Sequence, residues 1–276
     1  MPDTKEPQVR GFRDPWPAPE PEWRDPPWIL EGRVVTAWSS IEWAVARQII
    51  SPDLLPPRVG EPLTIRLRFY DIRFAPARED SAGPDGRFRE AVVAIAGSIG
   101  EVEGEVSLFM WTDSSTYLAW GREVFGWPLR NAEFSFAGPL WQAGELPREP
   151  SAAADVTGTS RATSPDGTVA VEIHGTEPMA GGVRPAVWIT PRRIVRAAGC
   201  AQEEREVLLV RPEILDSGRL YEAAGTANLA FRAGHPLSGL PFPALSLDVV
   251  DGFRIVVGAH VDVITEKQTG GARSHG

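Results

Sequence analysis

The sequence is short of lysine, cysteine, histidine and long apolar runs, and each shortage removes a class of function. Of the 28 lysines and arginines in 276 residues, only Lys5 and Lys267 are lysine. Both lie near the chain ends, so chemistry needing a primary amine in the body of the protein has no residue to supply it. The single cysteine, Cys200, excludes an internal disulfide and fits a reducing cytoplasm. In Ala198-Gly199-Cys200-Ala201 it reads as a small buried residue rather than a nucleophile. His260 and Asp262 share one strand face and His174 sits on another strand, without a third ligand at a telling spacing, so no metal is expected. The longest apolar stretch, around residues 91–96, is far too short to cross a bilayer. Residues 1–17 are polar and proline-rich, without the apolar core of a secretory signal. No glycine-rich phosphate loop follows a strand, and there is no Gly-x-Ser-x-Gly elbow. A formal net charge of −9, with arginines scattered among acids, argues against nucleic acid and anionic membrane as partners.

Proline and tryptophan are plentiful. Residues 1–28 carry Trp16, Trp23 and Trp28 among many prolines, an aromatic density that plain disorder rarely shows. This segment reads as an extended arm whose tryptophans dock on the domain, on a neighbouring subunit or over a pocket mouth. Residues 29–265 read as one domain and residues 266–276 as a disordered tail. Between the ends, period-two patterns dominate. Leu63-Thr64-Ile65-Arg66-Leu67-Arg68-Phe69 alternates with the apolar set on odd numbers, and Ile72 and Phe74 continue it on even numbers. That phase slip predicts a β-bulge at Tyr70-Asp71. Further strands are predicted across 32–38, 88–99, 102–111, 132–136, 153–159, 169–174, 186–190, 206–210, 245–250 and 253–264. Three helices are predicted: one after the capping-box pattern Ser39-Ser40-Ile41-Glu42, one over 116–124 after Ser114-Ser115, and one within 212–224. The fold class that follows is mainly β, a large curved antiparallel sheet closing into a barrel or cone, with two or three short helices and no βαβ alternation.

Gly121-Arg122-Glu123-Val124-Phe125-Gly126-Trp127-Pro128-Leu129-Arg130 resembles the signature of the acetoacetate decarboxylase superfamily. The match runs without gaps from about Glu101 to Phe134 and includes the strand Glu101 to Asp113; Leu54-Leu55-Pro56-Pro57 and His235-Pro236-Leu237-Ser238-Gly239-Leu240-Pro241 are two weaker echoes that flank it, in the family's order. The resemblance implies a closed barrel-like cone around a largely apolar cavity. It also implies that the family signature's Pro-Lys-Lys, whose first lysine forms the Schiff base, is replaced here by Pro128-Leu129-Arg130. A guanidinium stays protonated and forms no iminium, and leucine has no heteroatom. Imine-dependent decarboxylation of a β-keto acid is therefore not expected.

By the same resemblance, Leu129 and Arg130 face the cavity, and Arg33 and Glu90 correspond to the family's polar cavity residues. The expected catalytic set is Arg130, Glu90 and Arg33. Arg130 polarises or anchors a carbonyl or enolate oxygen, and a desolvated Glu90 relays a proton with a raised pKa. Leu129, Trp127, Trp120, Trp111 and Tyr70 supply apolar and flat walls, and His235 lines the mouth. Glu101, Glu103 and Glu105 alternate with small and apolar residues and read as the wet face of a strand. The leading expectation is a cofactor-independent enzyme of bacterial specialised metabolism, promoting cyclisation or rearrangement of a hydrophobic, polyketide-like unsaturated carbonyl compound. The alternatives are a dehydratase, hydratase or other lyase acting on a keto acid, and a non-catalytic small-molecule binding protein. The family resemblance also implies homo-oligomers.

Overall fold

The computed structural model describes residues 27–267 apart from 57–59, 77–85, 143, 149–154, 184–185, 195–203 and 241. Trp16, Trp23, Cys200 and the segment after Lys267 lie outside the described residues.

Among the described residues, twelve strands form one sheet. They are β1 (Trp28–Ile41), β2 (Leu63–Pro76), β3 (Gly86–Ile99), β4 (Val102–Thr112), β5 (Leu129–Asn131) and β6 (Glu133–Ala137), then β7 (Gly158–Ser164), β8 (Gly167–Met179), β9 (Trp188–Ile194), β10 (Glu204–Asp216), β11 (Arg219–Phe231) and β12 (Ser246–Lys267). Two α-helices accompany them, α1 (Trp43–Ile49) and α2 (Ser115–Phe125). The order β1-β2-β3-β4-β9-β10-β12 closes into a ring of seven strands because β12 pairs with β1. The remaining strands, β11-β8-β7-β6, leave the first half of β12 as a wing. The sheet is mixed rather than purely antiparallel, since β4 pairs in parallel with both β5 and β9. No helix among the described residues is long and apolar enough to cross a membrane.

Two apolar cores lie on opposite faces of the ring strands, and β2 shows how. Ile65, Leu67 and Phe69 enter one core, together with the wing and α1, while Ile72, Phe74 and Tyr70 enter the other, with α2. The change of buried face looks like a phase slip in sequence, but β2 stays in register with β1 and β3 throughout. The predicted bulge at Tyr70-Asp71 is therefore absent. Each half of a regular strand is covered by a different layer, so its buried face changes without an extra residue. Bulges lie elsewhere, for example at Gly252 of β12 opposite Gly32/Arg33 and at Leu108 of β4 opposite Val93/Ala94.

The helix predicted within 212–224 is instead the hairpin β10–β11. Helix-forming Glu, Leu and Ala mask the turn signal Asp216-Ser217-Gly218. Gly218 has φ +69°, and a Cβ there would stand 2.7 Å from the Asp251 carbonyl oxygen. Of the predicted arm, only its last residues are among those described. Trp28 opens β1 and packs edge-on against Phe74, Trp120 and Phe125. At the other end β12 runs to Lys267, two residues past the predicted boundary.

Helix α1 begins without its expected capping box. Ser39 lies in β1 and its hydroxyl donates to the Pro243 carbonyl at 2.8 Å. Helix α2 is capped as the sequence predicts, with Ser114 Oγ accepting from the Tyr117 N–H at 3.1 Å and Gly126 closing the helix at φ +68°. Ser114→Ala is expected to destabilise the fold by about 1 kcal/mol, read as a lowered melting temperature.

Candidate active site around Glu90

Strand register decides which chemical groups meet. On the face of the second core, Val34, Tyr70, Glu90 and Thr112 stand in one cross-strand row. The next row runs Asp248, Thr36, Arg68, Val92, Met110 and Leu129. A third contains Trp38, Arg66, Ala94 and Ser107. Same-face rows are about 7 Å apart along a strand. Leu129 therefore lies in line with Arg68 and one row from Glu90. The bulge in β4 shifts the pairing so that Glu105, opposite Ala96, also belongs to this face.

Glu105 is buried and holds two arginines. Arg68 makes a fork to it, with Nη2 at 2.8 Å from Oε1 and Nη1 on Oε2, and Arg66 forms a second ion pair. The Arg66 guanidinium also lies 4.1 Å from the Trp38 ring centroid, and Trp38 Nε1 donates to Asp248 Oδ2. Burial, followed by the neighbouring Arg68 charge, lowers the Arg66 pKa to about 10, so it remains a cation at neutral pH. Burial also raises the Asp248 carboxyl, against the hydrogen bonds of Trp38 and Thr36.

Glu90 is different in kind. No cation forks onto it. The Tyr117 hydroxyl donates to it, 3.4 Å from Oε1, and Tyr117 stacks on Phe88 with ring centroids 4.1 Å apart. Burial pushes the Glu90 pKa up to about 8, outweighing the Tyr117 hydrogen bond and the Arg68 charge that pull it down. The carboxyl is therefore protonated at pH 7. Tyr70, on the neighbouring strand of the same row, is raised by burial as well.

Leu129 is fully buried in this core, against α2. A Cβ on Gly121 would stand 2.2 Å from Leu129 Cδ1, so the missing side chain at 121 is what lets the helix seat on β5. Trp127 is buried here too, stacked on Phe125 at 4.5 Å and edge-on to Trp188 at 5.7 Å. Trp120 packs at the edge of the same core, next to Trp28.

Three of the predicted residues lie on the opposite face. Arg130 pairs with Trp111 in the parallel β4–β5 ladder, one residue out of phase with Leu129. Its side chain is exposed, forms an ion pair with Asp166 and lies 5.7 Å from the Phe109 ring centroid. Strand alternation explains this, since neighbours 129 and 130 cannot face the same way. Trp111 belongs to the first core, and His235 stacks on Phe231 at 4.0 Å beside the same Phe109. Burial lowers the His235 pKa, so it is neutral at pH 7.

Arg33 points away from Glu90 as well, because it stands one residue out of phase with Val34 in the regular β1–β2 ladder. It enters a cleft of about 630 Å³, where it forks onto Asp251 at 2.7 and 2.9 Å and donates to the Leu140 and Gly144 carbonyls. A second cleft of about 300 Å³ is lined by Asp71, Arg87 and Trp141 among others. Of the predicted site residues only Arg33 lines either cleft, and most of the residues lining both clefts are charged. The sequence reading missed Arg66, Arg68, Glu105 and Asp248. Alternation made the arginines look solvated and Glu105 look wet, because only one buried face was assumed. The signal that could have found them was two arginines alternating on one strand with glutamates alternating on another. Among the described residues no group of three or more His, Cys, Asp or Glu is placed to hold a metal ion.

No protein-family model and no curated protein matches the chain. Solved structures do. An acetoacetate decarboxylase-like enzyme from Sphingomonas wittichii RW1 superposes with a TM-score of 0.64 at 15% identity, covering 85% of this chain and 92% of that one. The enduracididine biosynthesis enzyme MppR, complexed with the condensation product of pyruvate and imidazole 4-carboxaldehyde, gives 0.62 at 12%, covering 87% and 89%. Acetoacetate decarboxylase from Legionella pneumophila gives 0.58 at 15%, covering 90% and 93%. At these identities the likeness concerns architecture, and it is an architecture shared along almost the whole chain. The protein has the acetoacetate decarboxylase-like fold.

Proposed function

We propose that the protein is a cofactor-independent enzyme that moves a proton within an unsaturated carbonyl substrate, promoting cyclisation or rearrangement without an imine. One observation carries this reading: Glu90 is a buried carboxyl with a pKa of about 8, one row from the position where the family's amine would stand and where this chain has Leu129. A protonated carboxyl can donate to a carbonyl oxygen as an enol forms. Arg68, charged and one row away, stabilises the developing enolate oxygen in place of Arg130, which lies on the other face. The Glu90 carboxylate so formed takes the proton lost from carbon, restoring the acid. Tyr117 and Tyr70 hold Glu90 in position, and Leu129 with Trp127 shapes the substrate against them.

A second reading is favoured by the charge of the site. Arg66 and Arg68 suit a substrate carrying a carboxylate, and MppR is complexed with pyruvate in one structure and with a pyruvate condensation product in another. A keto acid dehydratase would use the same Glu90 to protonate a departing hydroxyl. The two readings separate by mass. Extract from cells lacking the gene, incubated with purified protein, should yield a product of equal mass for the cyclase or isomerase. Loss of 18 Da, one water, selects the dehydratase. No conversion, with a metabolite co-purifying, replaces both by a binding protein.

The placement of residue 129 has its own test. Leu129→Lys would put an amine in an apolar core, where burial lowers its pKa toward the neutral form. Borohydride with a β-keto acid is expected to label that variant at position 129 and not the parent protein. A folded variant that takes no label contradicts the placement of substrate beside residue 129.

A further inference from the structure

The 630 Å³ cleft that receives Arg33 is not used by the proposed chemistry, and its composition is unusual for an acidic protein. Six arginines line it: Arg33, Arg73, Arg87, Arg148, Arg219 and Arg254. They come from β1, β2, β3, β11, β12 and the segment after residue 141, so guanidinium groups approach from several sides. The carboxylates present are shared out. Asp251 accepts from Arg33 on Oδ1, and on Oδ2 from Arg219 at 2.8 Å and the Leu146 N–H at 2.9 Å, so one carboxylate serves two cations at the floor. Asp71 is forked by Arg87. Glu31 is the shared carboxylate for Arg73 and Arg254, each at 3.6 Å, which is ion-pair distance without a hydrogen bond. Glu145 Oε2 lies 3.2 Å from both Arg148 Nη2 and Arg219 Nη1, and Asp216, which also lines the cleft, accepts from the Gly218 N–H at 2.9 Å.

We propose that this cleft is a binding site for a phosphate-bearing small molecule, distinct from the Glu90 site. Arginine forks match the oxygens of a phosphate, and donors arriving from different walls suit a tetrahedral group better than a planar carboxylate. Arg219 Nη1 can exchange its exposed partner Glu145 for a ligand oxygen, and Arg148 and Arg254 supply cations at the rim that reorient at little cost, because their present ion pairs are exposed. The volume falls within the range of small-ligand sites, so the cleft has room for more than the phosphate itself. On β2, Asp71 lines the cleft while the preceding Tyr70 faces Glu90, so the two sites share a strand but not a face.

The test is calorimetric titration of the full chain with inorganic phosphate, then pyrophosphate, and malonate as the planar dianion. Saturable phosphate or pyrophosphate binding, weakened at least tenfold in the Arg148→Gln/Arg254→Gln double variant and falling steeply with added salt, supports the proposal. Arg219→Gln should abolish binding; circular dichroism confirms that this variant is folded, and the rim variant carries the test if it is not. Phosphate that fails to saturate, binding unchanged in the rim variant, or malonate binding more tightly than phosphate each overturns it. Glu90→Gln should bind phosphate as the parent does, so failure of the catalytic reading leaves this result standing.

Discussion

Glu90→Gln is expected to lower turnover by about 10²- to 10⁴-fold, the usual worth of a positioned acid or base, while the protein stays folded. Glutamine keeps the shape and can still meet the Tyr117 hydroxyl, so a loss of this size isolates proton transfer. In the parent, activity that needs the protonated carboxyl should fall as pH rises through about 8. Stability carries the same signature. The ordinary value for this group is 4.5 and the folded value is about 8, so between them the folded state holds a proton that the unfolded chain has released. Stability therefore falls as pH rises through that window. The variant has no such proton to hold. Relative to the parent it should be more stable by a few kcal/mol at pH 9, with that advantage gone at pH 4. Thermal melts at the two pH values check the sign; a variant equally displaced at both would show that Glu90 is not a buried neutral acid.

Glu105→Ala should produce the largest loss of stability of any single change on this face. It removes the carboxylate that serves both Arg66 and Arg68 and leaves two guanidinium groups without it in a largely buried setting. Stranding a buried charge costs about 3–5 kcal/mol, and here two cations that already repel each other lose their common partner. For a domain of this size that is a drop of roughly 10 °C in melting temperature. Glu105→Gln should recover part of it, since an amide oxygen still accepts from Arg68. A drop below 2 °C in Glu105→Ala would mean that the arginines relax into solvent and that the face is wetter than described.

The sequence made the class of fold legible where one rule acts alone. Alternation located most strands, and Ser114 with Gly126 marked both ends of α2, because caps and period two are local. Long-range closure of the ring through β12–β1 and the parallel β4–β9 contact were not legible, since two residues of β4 pairing with β9 leave no local trace. Two errors have a common origin. A single buried face was assumed for each strand, whereas the ring strands are buried on both. That assumption turned the regular β2 into a bulged strand and sent Arg66, Arg68 and Glu105 to solvent. The family resemblance, separately, implied a cavity shared by Arg130 and Leu129, which strand geometry forbids for adjacent residues. Glu90 was placed correctly on the apolar strand β3, and burial at that position comes from its neighbours Phe88 and Tyr117, not from its own sequence context.

The central claim of the proposal is that Glu90 is a buried carboxyl that is still protonated at pH 7. Its most direct measurement is the ¹³C carboxyl titration of Glu90 in the folded protein, with the resonance assigned by its disappearance in Glu90→Gln. A midpoint near 8 is predicted. A midpoint near the ordinary 4.5 would leave Glu90 ionised at neutral pH, with no proton to give, and would contradict the account.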